Sequence, residues 1–254
     1  GKDAAGKALR EQAEGHLQIE RPEKLALTLG KLGETKFHLG SDEERYWWID
    51  LTESGEKLAL VGKHELVSEA AVAAFGLPIH PLDLIELLAI TPLPEAPLVD
   101  GKLGAVFRAR GVASVGVNVP ATWGFKRLWV NPQTFEPERV EVRGARGELL
   151  AVAMLSDYEW VGVESDDVPS KGRIATRVEV RARGFDGSIR LSLAEPKNRV
   201  IKSPIFDFDK LVGLYRVSDV RSVDEWVSER GGAGLEEDGV VPEGASGGVG
   251  AGVP

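Results

Sequence analysis

The sequence predicts a mainly β, α+β fold: a curved antiparallel sheet with short helices on its concave side. Three observations lead there. Residues 34–64, ETKFHLGSDEERYWWIDLTESGEKLALVGKH, read as three consecutive antiparallel strands separated by turn residues. Two short, very apolar helical stretches then interrupt a chain that is otherwise built of strand-length segments punctuated by Gly and Pro. Finally, Trp47 and Trp48 fall on opposite faces of one strand, so neither face of that strand is left to water.

Taken in order, Leu9 to Glu20 alternates with Leu9, Ala13, Leu17 and Ile19 on one side. Arg21-Pro22-Glu23 is a tight turn into Leu25–Leu29, and a bend at Gly30–Gly33 follows. In the next strand Thr35, Phe37 and Leu39 alternate with Glu34, Lys36 and His38. Gly40-Ser41-Asp42 turns the chain into Tyr46–Leu51, a run of strong strand formers with Trp47, Ile49 and Leu51 on one face and Tyr46, Trp48 and Asp50 on the other. Leu58–Val61 returns as the third strand.

After His64 the period changes. Glu65 to Phe75 carries Leu66, Val67, Ala70, Ala71 and Ala74 at helical spacing, with Gly76 as a stop. Pro81 to Ile90 is a second helix: Pro81 suits its first turn, Asp83 complements its N-terminal dipole, and Leu82, Ile85, Leu88 and Ala89 form an apolar stripe. Pro92, Pro94 and Pro97 end it.

The second half returns to strands, at Leu103–Phe107, Val112–Val119, Phe125–Val130, Glu138–Arg143, Leu149–Leu155, Ile174–Val180 and Ile189–Leu193. In one of these Phe125, Arg127 and Trp129 share a face opposite Leu128 and Val130. Asp157 to Pro169 reads as an acidic loop, Pro204 to Phe208 as an edge contact, and Val220 to Val227 as a short amphipathic segment. The domain therefore spans residues 1–228, and the Gly-rich acidic stretch 229–254 reads as a disordered tail.

With 254 residues and 43% apolar content the chain can bury a real core. A net charge of −9 argues against a nucleic-acid surface, and the lack of cysteine removes disulfides, thiolate metal sites and cysteine nucleophiles. No uncharged apolar run reaches the ~18 residues a membrane helix needs. The four histidines, His16, His38, His64 and His80, show no helical metal-ligand spacing; surface or turn histidines outweigh a zinc site completed by Asp42 or Glu43. The acidic clusters at 42–44 and 164–167 lack the spacing of a calcium loop and read as solvated turns. No nucleophile elbow or phosphate loop occurs, so the reading is non-enzymatic, with no catalytic residues, metal or cofactor.

The run GHLQIERPEKLALTLGKLGETKFHLGSDEERYWWIDL, the apolar helix LPIHPLDLIELLAI and the hairpin VNPQTFEPERVEVRGARGELLAVAMLSDY together resemble the outer-membrane lipoprotein-sorting (LolA/LolB-like) superfamily, in a divergent form of the kind found in planctomycete-type lipoproteins. The resemblance covers residues 8–210. It implies an open antiparallel half-barrel, here without the family's N-terminal helix and first strand, whose helices plug an apolar cavity for acyl chains. It further implies a periplasmic or outer-membrane-associated carrier for lipid or lipoprotein, with envelope proteins as further partners and membrane association through a lipid anchor outside this stretch. The candidate ligand wall is Phe37, Trp47, Ile49, Leu51, Leu82, Ile85, Leu88 and Trp129. The rival expectation is the same fold with a side-chain-filled barrel, serving as an envelope interaction module.

Overall fold

The computed structural model describes residues 12–20, 22–52, 56–67, 80–90, 107–108, 114–121, 124–163, 170–184, 187–201 and 204–233. The helix expected to run on to Phe75, most of the Leu103–Phe107 strand, the acidic cluster at 164–167 and the stretch after residue 233 lie outside the described residues.

Strands β1 (Glu14–Glu20), β2 (Lys24–Lys31), β3 (Glu34–Ser41), β4 (Arg45–Asp50) and β5 (Leu58–Lys63) form an antiparallel meander. The three strands expected over residues 34–64 are present, paired in sequence order. The β2–β3 hairpin turns on Leu32 (φ 55°) and Gly33 (φ 82°), the two left-handed residues of a tight hairpin whose twist matches that of its strands. In the β3–β4 turn, Asp42 Oδ1 accepts from the backbone N–H groups of Glu44 (2.9 Å) and Arg45 (2.7 Å). That acidic cluster therefore shapes a turn.

A second sheet contains β6 (Phe107–Arg108), β7 (Val115–Ala121), β8 (Gly124–Val130), β9 (Pro137–Gly144), β10 (Leu149–Val163), β11 (Ser170–Ala182) and β12 (Ile189–Ser192), each antiparallel to the next. Strand β10 continues through Val163, so the expected loop from Asp157 is strand for its first seven residues. Asp157 sits at φ 55°, and its carbonyl accepts from the Thr176 hydroxyl, so the ladder absorbs an irregularity there without ending. Tyr158 and Trp160 then stack beside Arg173.

Among the described residues three α-helices accompany the sheets: α1 (Pro81–Leu87), α2 (Phe208–Tyr215) and α3 (Val223–Ala233). None of the described helices is long and apolar enough to cross a membrane. The expected edge contact at Pro204–Phe208 is instead a 3-10 turn leading into α2. Asp207 caps α2 by accepting from the Lys210 N–H, and Phe208, Leu211, Val212 and Tyr215 make its apolar stripe. The segment expected to be amphipathic at Val220–Val227 divides into β13 (Asp219–Ser222), which pairs parallel with β5, and the first turns of α3.

Neither sheet closes on itself among the described residues. The result is an open, mainly antiparallel half-barrel with a few short helices, the fold class expected. Its main core lies between the sheets, where Leu25, Leu27 and Leu39 of the first meet Val140, Val142, Ala153, Val178 and Val180 of the second. Helix α1 is wedged into that space.

Candidate functional site in the interior between the sheets

The interior is built by strand alternation. On the first sheet Leu25, Leu27, Phe37, Leu39 and Trp48 point inward; Phe37 and Trp48 meet edge to face, ring centres 4.1 Å apart. On the second, inward positions are small: Ala151, Ala153 and Ala175 lie among Val140, Val142, Val178 and Val180. Small side chains leave a hollow, and α1 fills it with Leu82, Leu84, Ile85, Leu87 and Leu88, all buried.

The ends of α1 explain its short length. His80 is the N-cap, its Nδ1 accepting from the Leu82 N–H at 3.1 Å, and Pro81 takes the first turn as expected. The helix stops at Leu87, short of the expected Ile90, because Ala89 adopts a left-handed conformation (φ 54°) that cannot continue it. One side of α1 is charged: Glu86 is ion-paired with Lys126, which lies on the inner face of β8 beside Leu128. Their side chains are only 14% and 1% exposed.

The structure brings together four of the eight expected ligand-wall residues and separates the other four. Phe37, Leu82, Ile85 and Leu88 line the interior. Trp47, Ile49 and Leu51 share a face as expected, but it is the other face of the first sheet, where α2 covers them with Phe208 and Leu211. Trp47 and Phe208 lie 5.6 Å apart between ring centres, and Leu51 also lines an open depression with Lys57 and Tyr215. The correction follows from geometry. A period of two shows which residues share a face, not which face turns inward. Trp48, not Trp47, is the interior tryptophan of β4.

Trp129 is corrected in the same way. It stands on the outer face of the second sheet, donating from Nε1 to Glu141 at 3.0 Å, while Lys126 and Leu128 face inward. The inward lysine has one signal in the sequence: an apolar alternation that accepts a Lys requires a carboxylate opposite, and Glu86 sits among the leucines of the helix, past the first turn where Asp83 answers the dipole.

The histidines also depart from expectation. His38 and His80 are buried, and burial pushes the His38 imidazole down to about 4. His38 faces the Tyr215 hydroxyl of α2 at 3.4 Å. His80 packs edge-on to Tyr46 at 4.5 Å between ring centres and lies 5.5 Å from His64. His64 Nε2 contacts the Asp42 carbonyl at 2.9 Å. These rings serve caps, turns and helix docking.

No family model matches this sequence, and none of the curated proteins is similar to it. Among solved structures, the chain is similar to a LolA superfamily protein from Nitrosomonas europaea, with 14% identity over 74% of this chain and 78% of that one and a TM-score of 0.39. It is similar to an outer-membrane lipoprotein-sorting protein domain from Vibrio parahaemolyticus, with 12% identity over 74% and 82% and a TM-score of 0.37. It is also similar, at the same identity, coverage and TM-score, to a DUF1329 family protein from Desulfovibrio piger.

Proposed function

We propose that this protein is a non-enzymatic cell-envelope carrier domain that takes lipid or lipoprotein acyl chains into the space between its sheets. The observation that carries this reading is the seat of α1. A helix of seven residues fills a hollow walled by alanines and valines, and its charged side is fastened to the wall through Lys126 and Glu86. Displacing that helix would uncover Phe37, Trp48 and Leu39 on one sheet and Val140, Ala153 and Val178 on the other, together with the Lys126 ammonium that Glu86 had paired. Acyl chains would replace the helix side chains there, each buried CH₂ contributing about 0.8 kcal/mol. One long chain then gives useful but reversible affinity. Trp47, Ile49, Leu51 and Trp129 drop out of the ligand wall in this reading, because α2 covers the first three and Trp129 faces outward.

Native mass spectrometry of the chain expressed in a Gram-negative periplasm tests it. The expected result is a co-purified acyl species that is lost in Ile85→Asp and kept in Met154→Asp, whose site is on the outer face. A clean apo mass that takes up no added fatty acid would instead favour a side-chain-filled envelope interaction module.

A further inference from the structure

The outer face of the second sheet carries a charge opposite to that of the whole chain. Arg127 of β8 and Arg139 and Arg143 of β9 surround one buried carboxylate, Glu141. Arg139 Nη2 reaches Oε1 at 2.8 Å, Arg143 reaches Oε2 through Nη2 at 2.7 Å and Nε at 2.8 Å, and Arg127 Nη1 stands 3.9 Å away. Burial pushes the Glu141 carboxyl up, but the hydrogen bonds from Arg143 and Trp129 and the charges of Arg139 and Arg143 outweigh it and hold the group below its ordinary value. Two strands further on, Glu179 of β11 holds Arg181 at 3.0 Å and Arg190 at 3.1 Å. These side chains are 69% and 71% exposed.

Strand register places both clusters on one surface. Arg139 pairs across to Met154 and Met154 to Glu179, while Glu141 pairs to Val152 and Val152 to Arg181. Met154 is 52% exposed between the clusters, and Trp129 lies at their edge beside Arg139. With the Arg177–Asp157 pair beside them, six arginines stand against three carboxylates on one face of a chain whose net charge is −9. Arg139 Nε is buried with no hydrogen-bond acceptor among the described residues.

We propose that this face docks on an anionic phospholipid surface. Planar guanidinium forks match lipid phosphates in a bidentate way, and a tryptophan and a methionine among them suit the headgroup layer, where an apolar body and a polar tip are both accommodated. A sheet face presents its arginines over an extended surface, as a membrane presents its phosphates. The complementarity is local: it rests on the arginines of this face and not on the net charge of the chain. The proposal does not depend on acyl binding between the sheets, since it uses the opposite face of the second sheet.

Co-sedimentation of the full chain with vesicles tests it, comparing pure phosphatidylcholine with mixtures containing phosphatidylglycerol. Binding is expected only to the anionic vesicles and is expected to weaken as salt rises. Each neutralisation, Arg181→Gln or Arg190→Gln, should lower partitioning about five-fold, as expected for an arginine near a charged bilayer. Glu179→Gln, which raises the charge of the same surface, should strengthen it by a similar factor. All three positions are on the outer face, and unchanged thermal unfolding confirms that the variants fold. Equal binding to both vesicle types, binding indifferent to these three changes, or binding of an anionic oligonucleotide with no vesicle association would each overturn the proposal. Loss of acyl uptake in Ile85→Asp with vesicle docking intact would separate the two readings.

Discussion

Lys126, on the inner face of β8, is buried and ion-paired with Glu86 of α1. A buried pair of this kind holds register more than it adds stability, because two charges have been taken out of water to form it. Removing one partner leaves the other charge uncompensated in the core. Lys126→Met should therefore destabilise the fold by about 3–5 kcal/mol, whereas the double variant Lys126→Met with Glu86→Leu should return to within about 1 kcal/mol of the parent or exceed it. Urea unfolding of the four members of this cycle measures both effects.

Gly40 and Trp47 are cross-strand partners, and the indole lies over the glycine. A Cβ placed at Gly40 would come within 2.4 Å of the indole ring, which α2 and the sheet hold fully buried. Gly40→Ala should cost about 1–3 kcal/mol by overpacking. In a Trp47→Leu background the same change should cost much less, because the ring it strikes is gone. Denaturant midpoints of the single and double variants give that coupling.

His38 gives the fold a pH dependence with a definite sign. Its imidazole titrates near 6.5 when exposed and at about 4 in the folded protein, where burial disfavours the charged form. Between those values the unfolded chain binds a proton that the folded one excludes. Stability from the neutral ring is complete above about 6.5 and is lost as pH falls toward 4, by up to about 3 kcal/mol. His80 is lowered in the same direction, by burial first and then by His64. His38→Gln should flatten the part of the stability profile that falls in this window, as read from urea midpoints across it.

Ala89 ends α1 in a left-handed conformation that side chains other than glycine pay strain to adopt. Ala89→Gly should raise stability by about 1 kcal/mol, with α1 unchanged. Thermal melts measure it directly, and a loss of stability would show that the Ala89 methyl contributes more through its packing against the core than the strain costs.

Much of the fold is legible from local pattern. The alternation in residues 34–64 gives β3, β4 and β5, and Pro81, Asp83 and the leucine stripe give α1. The stripe of α2 is just as readable, with an Asp cap and apolar residues at Phe208, Leu211, Val212 and Tyr215; its brevity and the preceding prolines hide it. What local pattern cannot supply is side. Trp47 and Trp48 are equivalent to a period-two reading, and only the arrival of α2 from far along the chain assigns the first to one face and the second to the interior. The same holds for Trp129 against Leu128. The arginine surface is invisible for a related reason, since its members lie on five segments of which register alone makes a single face.

The parallel pairing of β13 with β5 joins residues at opposite ends of the fold; Lys57 and Ser218, hydrogen-bonded beside it, are 161 positions apart in sequence. During vectorial synthesis, β5 leaves the ribosome long before its last neighbour exists, and Trp47 does so before Phe208 and Leu211 can cover it. Until then the nascent first sheet presents a bare edge and an uncovered aromatic face, both of which favour self-association. The interval ends only when the segment holding α2 and β13 emerges, so this later piece acts as an intramolecular guard on strands made well before it.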